Sequence, residues 1–210
     1  QNKVTEEQFW EDMNDLNGVR YAAYRSFASG DMVERILNWG EVRSDNFVHS
    51  TYSNSPNWQY YEDIINGRLD TACTFFDWSG VYTTINYCNK VLERGEEVLE
   101  KDKQFTRSQW NSIKAEMITL RALNYFYLLR AFSDVPYVTT SIDTDAQVTS
   151  IPQTPMLDVL NSLIADVLTI ESGYAVTNWA NSQDTKSTIT QPAVDALLAD
   201  MYLWRASYLE

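Results

Sequence analysis

The sequence has few of the residues on which catalytic and metal sites depend. Of its 210 residues, seven are glycine, two are cysteine and one is histidine. It contains no GxSxG elbow, no HExxH zinc motif, no phosphate-binding loop and no glycine-rich dinucleotide turn. Cys73 and Cys88 lack CxxC spacing, and His49 has no second histidine with which to share a metal. We therefore expect no enzyme activity, no cofactor and no metal, and the cysteine count favours two separate thiols over a disulfide.

Positive charge and long apolar runs are also scarce. Lysine and arginine number 16 against 29 aspartates and glutamates, which gives a formal net charge of −13. Such a field repels phosphate backbones and anionic lipid headgroups, so we expect no nucleic-acid partner. No run reaches the roughly 18 apolar residues of a membrane span. Because the chain starts at Gln1 without methionine or a charged-then-apolar leader, we expect that a targeting segment has been removed.

Apolar residues recur at helical spacing through most of the chain, which predicts an all-α fold. Capping boxes at 5–8 and 106–109 predict two helix starts, and Asp77 and the Thr154-Pro155 pair predict two more. No alternation of β-branched residues indicates a sheet of consequence. The predicted helices cover 5–29, 77–99, 106–132, 154–172 and 190–210, with a short apolar segment at 32–39.

The helices are expected to form hairpins, with one long interruption. The short polar connection before Thr106 predicts an antiparallel pair. This arrangement is similar to tetratricopeptide repeats, although no regular period of about 34 residues is present. Residues 41–76 are rich in Ser, Asn and Asp and show no clear periodicity, so we predict an irregular, loop-rich insertion with a functional role. The last helix is still amphipathic at Trp204, so we expect that the chain was cut from a longer protein.

Four stretches of the sequence resemble one family. Residues 115–136, AEMITLRALNYFYLLRAFSDVP, closely resemble the hallmark helix of SusD/RagB-like proteins, which are outer-membrane nutrient-binding lipoproteins. Three further stretches agree in order: 78–89 with its Trp, Tyr, Ile and Asn, 159–168 with Ile-x-Asp, and 190–203 with Ala-x-x-x-Leu-Leu-x-x-x-Tyr-Leu. The resemblance therefore covers nearly the whole chain.

The resemblance implies a fold, a location and partners. It implies that 1–210 is a single helical domain, tetratricopeptide-like, which forms the N-terminal portion of a longer protein whose later half completes the ligand site. The implied ligand is an oligosaccharide or polysaccharide, or else a peptide, and the implied partner is a TonB-dependent SusC-like transporter. The resemblance also implies that the protein lies on the outward-facing side of the outer membrane and is attached there by an N-terminal lipid anchor. The family's lipidated cysteine is absent here, since neither Cys73 nor Cys88 lies near the start.

The irregular segment contains residue types suited to binding sugars. Flat aromatic rings stack on the apolar face of a pyranose, while carboxylates accept its hydroxyl hydrogens. Asp45 lies in a stretch that resembles the acidic segment after the first family helix, where some glycan-binding members use an aspartate. We therefore predict a ligand site at Asp45, Trp58, Tyr60 and Tyr61. The alternative is that the rings cover the helical core and that the aspartate stabilises a turn.

Two other functions stay open at this point. A degenerate helical-repeat scaffold could hold a protein partner on its concave face without a glycan ligand. A glycoside hydrolase would need two carboxylates in one cleft, and the pairs Glu62–Asp63 and Glu41–Asp45 are candidates.

Some charged residues have simpler explanations. We expect Arg121 and Arg130 to form ion pairs with Glu116 or another nearby acid. The stretch that begins at Asp143 starts like a calcium loop, but Val148 stands where that loop requires glycine.

Overall fold

The computed structural model describes residues 9–42, 44, 58–68, 73–144, 147, 150–170 and 188–209, and these are mostly helical. The all-α prediction is therefore confirmed. The helices are α1 (Met13–Phe27), α2 (Gly30–Gly40), α3 (Trp58–Ile65), α4 (Ser79–Lys101), α5 (Arg107–Phe132), α6 (Met156–Leu168) and α7 (Gln191–Leu209), with a 3₁₀ turn at Thr74–Phe76. A two-residue strand β1 (Val135–Pro136) pairs antiparallel with β2 (Gln153–Thr154). None of the helices in these ranges is long and apolar enough to cross a membrane.

The predicted first helix is interrupted at residues 10–12, and helix α1 begins at Met13. The predicted capping box at 5–8 lies outside the described residues. The Asp12 carboxylate accepts hydrogen bonds from the N–H groups of Asn14 and Asp15, at 2.7 and 3.2 Å. The Asp15 carboxylate in turn accepts from the N–H of Asp12 at 3.2 Å. This reciprocal box starts the helix at Met13.

The two predicted starts in the middle of the chain agree with the structure. The N–H of Gln109 donates to the Thr106 hydroxyl, and the Gln109 side chain accepts from the Thr106 N–H, which completes the capping box of α5. At α4, the Asp77 carboxylate accepts from both the N–H and the hydroxyl of Ser79, each at 2.9 Å. These bonds hold the pKa of Asp77 below its usual range, so the group is charged at neutral pH.

The prediction of an irregular segment over 41–76 is partly wrong, because α3 and the 3₁₀ turn lie within it. Helix α3 has only eight residues, about two turns, so its apolar spacing is too short to stand out in the sequence. Its buried residue Ile64 packs with Phe75 of the 3₁₀ turn in a small apolar cluster, which also contains Val42 and Cys73. Contacts with residues distant in sequence therefore stabilise a helix that its own sequence signals weakly.

Helices α4 and α5 form the expected antiparallel hairpin, and α1 packs against α4. The hairpin partners come closest at Gly95. A Cβ atom at that position would lie 2.0 Å from the Cη2 atom of Trp110. The Trp110 ring is buried, and its indole N–H donates to the Glu96 carboxylate at 2.7 Å. The absence of a side chain at Gly95 therefore sets how closely the two helices approach.

Two large apolar clusters lie on either side of this hairpin. One joins α4 and α5 to α6 and α7, and the other joins them to α1. Cys88 lies in the α1 cluster, whereas Cys73 lies in the small cluster below α3, and no disulfide joins them. Full burial raises the pKa of the Cys88 thiol to about 12. Cys88 is thus a packing residue of the core.

A buried carboxylate joins α1 to α5. Both oxygens of Glu116 accept from the Arg20 guanidinium, at 2.8 and 2.9 Å, and one of them also accepts from the Tyr24 hydroxyl. The Tyr24 oxygen accepts in turn from the N–H of Ile189, just before α7. Glu116, a proposed partner of Arg121 and Arg130, is therefore paired with Arg20 instead.

Arg121 pairs with a different acid, on α6. Its guanidinium donates to Asp166 at 2.9 Å and to the side-chain oxygen of Asn89 on α4, also at 2.9 Å. Asn89, Arg121 and Asp166 come from three of the four stretches that carry the family resemblance. Three separate stretches of sequence thus meet at one buried guanidinium.

Arg130 lies in the last turn of α5. Its guanidinium is 3.8 Å from Asp200 and lies over the rings of Phe126 and Trp204. The ion pair expected for this residue is present, although its partner was not predicted.

We expect Gly95→Ala to destabilise the protein, because the added methyl group would displace the Trp110 ring. Overpacking of this kind costs about 1–3 kcal/mol of unfolding free energy. Gly18→Ala in α1 is the matched control, since a Cβ atom added there would have no heavy atom within 4 Å and alanine favours a helix by about 0.5–1 kcal/mol. Urea unfolding midpoints should fall for the first variant and rise for the second. Equal midpoints would contradict the close approach.

We expect Arg121→Met to lower the unfolding free energy by about 2–3 kcal/mol, because it leaves the buried Asn89 oxygen and the Asp166 charge without their donor. Arg107→Met is the control, since its ion pair with Glu96 is exposed and contributes at most about 1 kcal/mol. Urea unfolding of both variants compares the two losses. A loss at Arg121 no larger than the loss at Arg107 would show that the buried network contributes little.

Candidate binding surface

Helix α3 carries the three aromatic residues that the sequence analysis predicted as ligand-binding. Trp58 is the first residue of the helix, and it is 49% exposed to solvent. Tyr60 and Tyr61 are partly buried. Asp45, the fourth predicted residue, lies outside the described residues.

The two tyrosines are engaged in packing against the 3₁₀ turn. Their ring centroids lie 6.1 Å (Tyr60) and 5.0 Å (Tyr61) from that of Phe75. The Tyr61 hydroxyl donates to the Glu34 carboxylate on α2 at 2.7 Å. Burial and this bond raise the pKa of Tyr61 to about 12, so its hydroxyl stays neutral. Of the three rings, Trp58 therefore offers the most open surface to a ligand.

Of the two carboxylate pairs considered for a hydrolase, Glu62 and Asp63 are bonded to near neighbours, while Asp45 of the other pair lies outside the described residues. Asp63 accepts from the guanidinium of Arg68 at 3.0 Å, and Glu62 accepts from the side-chain amide of Asn66 at 3.1 Å. Both bonds lie within the last turn of α3 and the residues after it. Such bonds are typical of acids that stabilise a helix end, and they favour that role over acid–base catalysis.

A cavity of about 430 Å³ lies between the first turns of α4 and residues 138–142. We call it the α4 cavity. The rings of Trp78 and Tyr82 line it, with centroids 5.9 Å apart and planes at 80°. Phe132 supports Trp78 from α5, at a centroid distance of 5.1 Å. The polar lining of the α4 cavity includes Asp77, Ser79, Thr83 and Thr140.

The wall of the α4 cavity belongs to residues 136–143, which we call the strap. The strap runs along one face of α4 because side chains at three- and four-residue steps bond to it: Tyr82, Asn86, Asn89 and Glu93. Lys90 adds an ion pair with Asp143. One helix face thus fixes the course of the whole segment.

Most of these bonds reach the main chain of the strap. The Tyr82 hydroxyl donates to the Pro136 carbonyl at 2.7 Å, and Asn89 donates to the carbonyls of Val138 and Thr140. Asn86 forms two bonds with Ile142, one to its carbonyl at 2.9 Å and one from its N–H at 2.7 Å. Both asparagine amides therefore hold the wall and are not available to a ligand.

The sequence analysis did not predict the α4 cavity. Trp78 and Tyr82 lie four residues apart in the predicted helix 77–99, which is the spacing of packing residues, yet both also line the cavity. A signal was present nonetheless. Asparagine is a poor helix former, and Asn86 and Asn89 lie in the middle of α4 on the face that packs. Polar residues at such positions indicate a specific partner for their amides.

The described residues do not form a cluster of three or more His, Cys, Asp or Glu side chains that could hold a metal ion. His49 lies outside those residues. Asp143, the first residue of the calcium-like stretch, is paired with Lys90.

The chain matches one protein family over most of its length. The SusD-like family model, described as starch-binding and associating with the outer membrane, matches residues 11–203. The SusD-like protein P38 of Formosa agariphila is 27% identical over 178 residues, which are 84% of this chain and 33% of P38. The chain thus spans about a third of the length of this curated relative.

Solved structures share the helical fold. A SusD superfamily protein from Bacteroides thetaiotaomicron aligns with a TM-score of 0.78 and 21% identity, over 95% of this chain and 45% of its own. Surface glycan-binding protein A from the same species, solved in complex with laminarihexaose, aligns with a TM-score of 0.72 and 15% identity, over 93% of this chain and 40% of its own. Since the family model covers nearly the whole sequence, the chain belongs to the SusD-like family.

Proposed function

We propose that this chain is a non-catalytic module that binds oligosaccharides or polysaccharides at the cell surface. The observation that carries the proposal is the half-exposed ring of Trp58 on α3, in a fold that is shared with a relative solved with bound glycan. An open indole face can stack on the apolar face of a pyranose. Asp45, Tyr60 and Tyr61 complete the proposed site, with the carboxylate as a hydroxyl acceptor and the tyrosines as a rigid floor.

The electrostatics of the chain agree with a neutral ligand. The net charge of −13 opposes the approach of anionic polymers, while a neutral glycan is unaffected. The Tyr61 hydroxyl stays protonated and already donates to Glu34, so its ring contributes mainly apolar surface. Affinity would then come from stacking and shape, with no chemical step.

The proposed role includes delivery of the bound glycan to a transporter of the outer membrane. The family description places relatives at that membrane, and the chain spans about a third of the length of P38. We infer that the whole protein is held at the outer surface by an N-terminal lipid anchor. We also infer that it passes its glycan to a TonB-dependent SusC-like transporter.

A protein-binding scaffold is the second candidate function, and one observation favours it. The end of α7 exposes several large apolar side chains, among them Leu203 and Leu209, at 71% and 69%. Surfaces of this kind often contact other proteins. A pull-down that recovers a protein partner, together with titrations that show no saccharide binding, would favour the scaffold.

We expect Trp58→Ala to weaken glycan binding about fivefold, because loss of one stacked ring costs about 1 kcal/mol. Isothermal titration calorimetry with laminarihexaose, maltohexaose and soluble polysaccharides measures the change. Tyr21→Ala is the matched control, since Tyr21 is an exposed aromatic residue on α1. The glycan affinity of this variant should equal that of the wild type. Unchanged affinity in Trp58→Ala would remove this ring from the site. Failure of every glycan to bind the wild type would contradict the proposed function itself.

A further inference from the structure

The α4 cavity has no role in the site proposed on α3. We propose that it is a second saccharide subsite, which takes one or two sugar units of the same glycan against the rings of Trp78 and Tyr82. The inference rests on the proposed glycan-binding function and adds to it a separate place of contact.

The size and lining of the cavity suit a small ligand. Its volume of about 430 Å³ lies within the usual range for ligand pockets, which is about 300–1,000 Å³. The two aromatic rings stand nearly perpendicular to each other, at 80°, so they form a floor and a side wall. A pyranose has an apolar face for one ring and an edge with C–H groups for the other.

Both rings are held in place before any ligand arrives. Trp78 packs on Phe132, and the Tyr82 hydroxyl is bonded to the Pro136 carbonyl. The strap that closes the cavity is fixed by Asn86 and Asn89. A site that is rigid in advance loses little conformational entropy on binding, so even a small contact area can give useful affinity.

The polar groups at the cavity favour a neutral, hydroxyl-rich ligand. Asp77 is the one charged residue in the lining, and its exposed carboxylate accepts hydrogen bonds. Arg35 lies 3.3 Å from that carboxylate and partly balances its charge. The hydroxyl groups of Ser79 and Thr83 donate to the Asp77 carboxylate and the Ser79 carbonyl, so they can accept from a ligand, while the Thr140 hydroxyl can donate and accept. An anionic ligand would meet the Asp77 charge, whereas sugar hydroxyls match the whole set.

The α4 cavity adjoins the α3 site through the 3₁₀ turn. The rings of Tyr60 and Tyr61 pack on Phe75, which precedes Asp77 by two residues. Two residues of extended chain span at most about 7 Å. One short segment therefore connects the packing of the α3 tyrosines to the rim of the cavity, and we infer that a glycan several units long contacts both.

The test fills the cavity from its exposed wall without disturbing the core. In Thr140→Trp the new ring occupies the cavity, while the carbonyl that Asn89 contacts is retained. Thr139→Trp is the matched control, because Thr139 is the exposed neighbour that does not line the cavity. Trp58→Ala is measured beside them. The probes are laminarihexaose and maltohexaose, titrated by calorimetry and followed by NMR at the side-chain amide signals of Asn86 and Asn89.

We expect Thr140→Trp to lower the affinity for the hexasaccharide that binds the wild type by about fivefold or more. Thr139→Trp should bind as the wild type does. The two amide signals should shift with saccharide in the wild type and in Trp58→Ala, but not in Thr140→Trp. That pattern would assign saccharide contact to the cavity independently of α3.

The contrary outcomes separate the two proposals. One contrary outcome is that Thr140→Trp keeps the wild-type affinity, the two amide signals of the wild type do not shift with saccharide, and Trp58→Ala loses affinity. This outcome overturns the cavity subsite and leaves the proposed function standing. Loss of binding in Thr140→Trp alone, with Trp58→Ala unaffected, supports the cavity and removes the α3 site. No binding of either hexasaccharide to the wild type overturns both.

Discussion

The arrangement of the central helices depends on the buried guanidinium of Arg121. Placing a charge in the core is costly unless its hydrogen bonds are satisfied. Asn89 and Asp166 satisfy them, and each belongs to a different helix. Asn89 uses its other end to hold the strap, so a single charge fixes α4, α5, α6 and the cavity wall relative to one another. The Arg20–Glu116 pair joins α1 to α5 in the same way, so two largely buried guanidinium groups connect helices of the bundle.

This arrangement explains why an aromatic surface can form beside a helical core. Trp78 and Tyr82 would be ordinary packing residues if the strap lay elsewhere. Because the polar face of α4 holds the strap at a distance set by side-chain length, the two rings are covered on one side and remain open on the other. On α3 the separation is similar, since Phe75 supports the tyrosines while Trp58 is left half exposed. In both places buried contacts fix the rings, and their open faces remain available to a ligand.

Much of the fold could be predicted from the sequence, and the reasons for the misses are physical. Helices α4 and α6 show clear periodicity, whereas α5 is buried on nearly all sides by the two large clusters, and its start is marked correctly by the capping box at Thr106. Helix α3 was missed because two turns give too few repeats. The partner of Arg121 was not predictable, since Asp166 lies 45 residues away and only the folded chain brings them together. The α4 cavity was missed for the same reason, because its aromatic floor and its wall are about 60 residues apart in the sequence. The α3 site was predicted from residue type alone, and all four of its residues stay a prediction.

The way in which α4 holds the strap has a consequence for how such a protein can diversify. Four of the strap's carbonyls, at Pro136, Val138, Thr140 and Ile142, receive the side chains of α4, so the course of the strap depends mainly on its main chain. The side chain of Thr140 lines the cavity, is exposed and takes no part in those bonds. Substitutions there change the wall of the cavity while the scaffold keeps its contacts. The lining of the cavity and the stability of the scaffold can thus vary separately within one short segment.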